Sequence, residues 1–197
     1  MPRTITRPGP RARILEAAAD RFRTLGPRAF TMTDVAEHVG LTTPALYRHF
    51  KGREDLLAEL VQEGFTVFTQ YLARGLRGNT PRERLDLTSA AYFDFAVDHP
   101  GYYETIFLTA DIPGLRRFPD LELGRSASFQ LLVDRVRECM DAGFFTRGNA
   151  ADIALTMWAQ AHGFMTLNHF GRFTGSRAQI RARFLASVQR LFDGIAA

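Results

Sequence analysis

The chain has 197 residues, 46% of them apolar and 23% charged, with 25 Lys and Arg against 21 Asp and Glu. These are globular proportions: no apolar run approaches the ~20 residues that span a bilayer, and no secretory signal is expected, because the N-terminal arginines precede no apolar stretch. The single cysteine, Cys139, excludes an internal disulfide and a multi-cysteine metal site, which suits the cytoplasm.

The net charge of +4 is unevenly placed. Residues 1–55 hold 10 of the 25 bases and 6 of the 21 acids, which leaves 15 of each in residues 56–197. All the excess positive charge therefore lies in the N-terminal quarter, as expected of a phosphate-facing module attached to a neutral body.

A first helix is predicted from Pro10 to Leu25, where Ile14, Leu15, Ala18, Phe22 and Leu25 recur at three- and four-residue spacing before Gly26-Pro27 stops it. Thr31 is a good cap for a second helix, with Asp34 in the capping-box position. Val35, Ala36 and Val39 form its inner face, and Gly40 supplies a turn. Thr42 or Thr43 caps a third helix, with Pro44 where a missing N–H costs nothing and with Leu46 and Phe50 facing the core. Gly52 then breaks the chain, and Glu54-Asp55 open a long fourth helix to about Arg74. After a linker over Gly75–Pro81, helices are expected over Leu85–Val97, Tyr102–Leu108, Leu121–Ala142, Ala150–Phe170 and Ser176–Ile195, with a loop over 109–120. Strand alternation, repeats and low-complexity tracts are absent. The expectation is an all-α fold of about nine helices, with a DNA-binding domain over 1–55 and a second domain over 56–197 joined by the fourth helix.

Two short helices hinged at Gly40 form a helix-turn-helix, a device that places its second helix in the major groove. Thr42, Thr43, Pro44, Ala45, Tyr47, Arg48 and His49 then line the side toward DNA. Arg48 suits guanine or phosphate, while Thr43 and Ala45 suit a thymine methyl. Tyr47, His49, Lys51, Arg53, and Thr31 and Thr33 at the start of the second helix, suit phosphate oxygens. The competing reading is a three-helix core that uses the glycine turn for packing alone, with the Tyr47 ring packed inward.

Several patterns match a known family. Ile14-Leu15-Glu16-Ala17-Ala18, the segment Phe22 to Gly26, Thr33-Asp34-Val35-Ala36 with Val39-Gly40, and Leu46-Tyr47-Arg48-His49-Phe50-Lys51 closing on Glu54-Asp55-Leu56-Leu57 together resemble the DNA-binding domain of TetR-family transcriptional regulators. Arg53 departs from the family's usual Lys. Trp158 with His162-Gly163, and the segment His99 to Phe107, resemble the Trp-His-Gly subclass of C-terminal domains. The resemblance implies a homodimer on a palindromic double-stranded operator, with a small-molecule effector in the C-terminal domain. Release by a largely apolar or aromatic ligand is the expected mode. A ligand-independent dimeric DNA-binding protein or an activator is the alternative, and a small helical enzyme a remote third.

The body holds 19 of the 23 aromatic residues. Phe93, Tyr102, Phe107, Phe129, Trp158, His162 and Met165 are candidate pocket residues, each with a competing role in an ordinary core. His162 has a further one as a hydrogen-bonded structural group. The segment 150–170 is apolar on nearly all sides, which predicts burial against both its own core and a second subunit. Met157, Phe164, Phe184, Val188 and Leu191 are the expected interface residues of a four-helix dimer contact. No metal site, cofactor or membrane contact is expected. Nor is catalysis, since neither a phosphate loop nor a nucleophile elbow is present.

Overall fold

The computed structural model describes residues 9–109 and 126–196, apart from the side chains of residues 27 and 28. Most of the loop expected over 109–120 and the start of the helix expected at Leu121 lie outside the described residues. Among the described residues every regular element is helical, with one isolated bridge between Phe145 and Ala196. They fall into two compact units, 9–65 with 99–109 and 66–98 with 126–196.

In the first unit, α1 (Pro10–Ala29) carries the expected apolar stripe, with Ile14, Leu15, Ala18 and Phe22 buried. The stop expected at Gly26 is a kink instead. Gly26 leaves helical geometry at φ 77° and ψ 166°, helical turns resume to Ala29, and Phe22 meets Phe30 edge to face at 5.7 Å. The next helix, α2 (Met32–Val39), starts on a complete capping box: the Asp34 N–H donates to the Thr31 hydroxyl (3.2 Å), and the Thr31 N–H donates to the Asp34 carboxylate (3.0 Å). It ends on Gly40 in the left-handed region at φ 71°, which a side chain would strain.

Beyond the turn, α3 (Thr43–Tyr47) is capped by Thr42 and is shorter than expected, giving way to a turn before Phe50. The fourth helix, α4 (Arg53–Leu72), begins with Leu56, Leu57 and Leu60 fully buried and runs through the division between the units. A 3-10 segment, Ala73–Arg77, occupies part of the expected linker.

The chain re-enters the first unit at residue 99. There α6 (Pro100–Tyr103) continues into a π-helical turn, Glu104–Leu108, where one helix was expected. Gly101 is what lets this segment lie on α1: a Cβ there would stand 2.7 Å from the Ala19 backbone carbon and oxygen.

The second unit contains α5 (Pro81–Asp98), α7 (Ala127–Asp141), α8 (Ala150–His169) and α9 (Arg177–Gly194). Its core is an aromatic interlock. Phe93 packs on Phe184 at 5.5 Å, Phe68 on Tyr92 and Phe95 at 5.6 and 4.9 Å, and Phe145 on Phe192 at 5.7 Å. At one edge Asp98 accepts from Tyr71 (3.0 Å) and Arg177 (2.6 Å), while Arg181 donates to Asp94 at 3.2 Å. No described helix is long and apolar enough to cross a membrane.

Candidate nucleic-acid interface

The face of the helix-turn-helix follows from which side chains the core takes. Leu46 and Phe50 are buried and anchor α3 and its following turn from beneath. Thr33, Pro44, Arg48 and Lys51 are exposed, as are Thr31 and Thr42, while Thr43, Ala45 and His49 are half-buried. Tyr47 is 52% exposed, so its ring does not pack inward. Tyr47, Arg48 and Lys51 thus stand exposed beyond an apolar floor of Leu46 and Phe50, with donors that suit phosphates and base edges.

Three of the expected contacts have structural duties. The hydroxyl of Thr42 accepts from the Ala45 N–H at 3.3 Å, holding the first turn of α3, and Thr31 is committed to Asp34. Arg53 is a brace: its Nε donates to the Phe30 carbonyl at 3.0 Å, and its guanidinium lies 6.0 Å from the Phe30 ring centre. That fixes the start of α4 to the chain entering α2, and Asp55 completes the corner by accepting from the Lys51 N–H at 2.8 Å.

Sequence reasoning missed the clamp made by Arg11. Its Nε donates to Glu59 (3.0 Å), its Nη1 donates to the His49 carbonyl (2.9 Å), and its guanidinium covers the Phe50 ring at 4.6 Å. A second Arg11–Glu59 contact makes the pair bidentate. The first turn of α1 is thereby held against the end of the reading element. Arg11 and Glu59 lie 48 positions apart, so no local pattern announces the pair. Leu41, exposed in the turn between α2 and α3, was also missed.

The residues expected to line one pocket are not brought together within one unit. Tyr102 and Phe107 belong to the first, although the expectation placed them with the aromatic residues of the C-terminal domain. Phe107 packs on Phe65 and Tyr103, at 6.1 and 5.5 Å. Tyr102 is buried beside His99, and burial together with Glu63, Glu16 and Asp20 pushes its hydroxyl pKa up. The cause is the close approach at Gly101, a tertiary contact that helical spacing does not reveal. Phe93 and Met165 are sealed in the core of the second unit, and Phe129 is half-buried on α7.

Trp158 and His162 do meet. Their rings stand 5.3 Å apart on α8, and His162 Nδ1 is 3.1 Å from the Tyr92 hydroxyl. Burial lowers the His162 pKa, favouring the neutral ring. The Cys139 thiol, fully buried, is pushed up to about 11 by desolvation and is held as a thiol.

Of the expected dimer residues, three turn inward. Met157, Phe184 and Val188 are buried in the subunit's own core, and Phe164 is half-buried against Phe173 and Phe184, at 4.6 and 5.4 Å. Leu191 is half-buried too. The outward row of α8 is instead Leu155, Ala159, Gly163 and Leu167, all exposed, followed by Phe170 at 64% exposure.

Residues 14–60 match the family model for bacterial regulatory proteins of the tetR family, and residues 85–191 match the tetracyclin repressor-like C-terminal domain. The HTH-type transcriptional regulator YobS of Bacillus subtilis is 28% identical over 95 residues, 48% of this chain and half of that protein's length. The HTH-type transcriptional repressor KstR2 of Mycobacterium tuberculosis is 29% identical over 143 residues, 68% of each chain. The solved structure of KstR2, described as a ketosteroid transcriptional regulator, superposes with a TM-score of 0.73 at 21% identity, covering 98% of this chain and 97% of that one. A Rhodococcus sp. RHA1 protein of unknown function superposes over the whole of both chains with a TM-score of 0.76 at 25% identity.

Proposed function

Given that the chain belongs to the TetR family and is a DNA-binding transcriptional regulator, we propose that it is a cytoplasmic repressor, acting by binding rather than catalysis. Two copies hold a palindromic operator, each with α3 in a major groove, and a small, largely apolar ligand releases them. The observation that carries this reading is the sidedness of α3, with Leu46 fully buried and Tyr47, next to it, half exposed beside Arg48. Thr43, Ala45 and Arg48 meet base edges, while Tyr47, His49, Lys51 and Thr33 meet phosphates. Two-fold symmetry sets the half-sites about 34–36 Å apart.

The exposed rows of α8 and α9 support dimerisation through those helices. Leu155 and Leu167 flank Ala159 and Gly163 on one, and Ala182 and Ala186 are exposed on the other. Small residues between larger apolar ones permit close approach of a symmetry-related pair. For the ligand, the Trp158 ring beside the Tyr92–His162 hydrogen bond supplies an aromatic wall with one polar handle. The same pair supports assignment to the Trp-His-Gly subclass, and likeness to KstR2, whose structure is described as that of a ketosteroid transcriptional regulator, favours a polycyclic apolar skeleton with an oxygen function. Such a ligand releases DNA only by binding more tightly to the dimer whose heads are wrongly spaced.

Selection of bound duplexes from random DNA tests the reading. Enrichment of an inverted repeat, lost on Arg48→Ala, is the expected result; absence of any enriched repeat refutes the docking. A metabolite panel read by thermal shift then tests the sensor, since a ligand at 1,000 times its Kd adds about 4 kcal/mol of stability.

A further inference from the structure

We propose that the body holds a carboxylate subsite at Arg135, so that its effector is an apolar skeleton carrying one carboxylate. The proposal rests on the seat for an apolar ligand beside Trp158 and adds the charged group that this ligand brings. Arg135 lies on α7 beside Val136, which is fully buried, and is itself only 8% exposed. A guanidinium so far from water needs acceptors for its N–H groups and an opposite charge. Its Nε nevertheless finds no hydrogen-bond partner among the described residues.

The charges around it do not balance either. Glu138 faces Nη2 of Arg135 at 2.9 Å and accepts from Nε of Arg84, also at 2.9 Å. Arg82 and Asp86, close by on α5, answer each other at 3.1 Å, and Asp134 accepts from Gln130 and Arg137. Arg84 and Arg135 thus share one carboxylate, which leaves a single positive charge for a monoanion to balance. A carboxylate suits it, because two oxygens can meet two N–H groups of a guanidinium side by side. The helices also bring this subsite within reach of the aromatic wall. Glu138 stands in the last turn of α7 and Arg84 in the first turn of α5, so the two helices run antiparallel and Arg135 sits at a level between Arg84 and Tyr92. Arg84, Thr88 and Tyr92 follow one another at four-residue spacing, so the outer two are about 12 Å apart along α5. Tyr92 in turn bonds His162, beside Trp158.

The experiment titrates the full chain with decanoic, 1-pyrenebutyric and 5β-cholanic acids, each beside its own primary amide, at neutral pH. Equilibrium dialysis gives the affinities. Trp158 is the single tryptophan of the chain, so its emission reports a ligand seated at the wall. For at least one pair the parent holds the acid about tenfold or more tighter than the amide, the worth of a hydrogen bond to a charged group. Arg135→Met keeps an apolar stem and removes that preference, with the amide bound as before. Glu138→Gln, at a side chain one-third exposed, enlarges the positive excess and widens the preference, so the test does not depend on how Arg135→Met folds. A role in packing alone would move acid and amide together. Acid and amide held equally by the parent, or a preference that Glu138→Gln leaves unchanged or narrows, overturns the proposal. If equal binding comes with a change in Trp158 emission, the aromatic seat stands and only the subsite falls; if none of the six compounds binds, the seat falls with it.

Discussion

Two helices of this chain teach opposite lessons about reading faces from sequence. In α3, five residues long, and the turn after it, the four-residue spacing of Leu46 and Phe50 already marks the inner side, and the structure leaves Tyr47 exposed. In α8, twenty residues long, apolar side chains occur on every side, and composition leaves the choice of inner face open. The core takes Ala154, Met157, Ala161 and Met165, and Leu155 and Leu167 are left outside. An amphipathic helix carries its orientation with it, whereas a uniformly apolar one receives its orientation from its neighbours.

The largest expected effect tests that difference in α8 and its partner α9. Phe184→Ala empties a fully buried site against Phe93 and Phe164 and should lower unfolding free energy by about 3–5 kcal/mol in urea titration. Gly163→Glu, on the exposed row, should leave the fold intact and yield monomers by sedimentation. If Phe184→Ala instead gave stable monomers, the two faces of α8 and α9 would have to be exchanged.

Next is the close approach that places α6 in the first unit. Gly101→Val introduces a Cβ 2.7 Å from the Ala19 backbone and should cost about 1–3 kcal/mol of stability, read by thermal unfolding. A melting temperature equal to the parent's would mean that α6 does not lie on α1 at that point.

The polar edge of α3 predicts effects on binding with none on folding. Arg48→Ala should cost about 1–3 kcal/mol and relax preference at one base pair. Lys51→Ala should weaken all duplexes alike and reduce the salt slope by about 1. Competition binding over a single-substitution operator library separates them, and matching specificity losses for both variants would contradict the division of roles.

The smallest effect concerns His162. Burial lowers its pKa in the folded chain, so the unfolded chain binds the proton more readily. Stability should therefore be full above the unfolded value of about 6.5 and decline as pH falls below it. His162→Gln should remove that component from a pH series of urea titrations, and an unchanged profile would place the pH dependence elsewhere.

Much of the head was legible because its signals are local. The capping box at Thr31 and Asp34, the left-handed turn at Gly40 and the cap at Thr42 each involve residues within a few positions of one another. Gly26 was read as a stop and is a kink, since its backbone breaks the helix while the following residues still favour helical turns. Arg53 was read as a phosphate contact, and its brace to Phe30, a partner 23 residues away, was not legible in the sequence. Tyr102 and Phe107 were grouped with the aromatic residues of the body, and the close approach that Gly101 allows, which packs their segment on α1, was not legible in the sequence.

The sequence alone therefore determined the all-helical class, the inner residues of α3 and the concentration of positive charge in residues 1–55, because periodicity, capping and charge act over one or two turns. Tertiary structure alone decided the Arg11 clamp, the return of residues 99–109 to the first unit and the inner face of α8. Each of those depends on which distant surfaces close without voids or clashes, a property of packed pairs that no single segment contains.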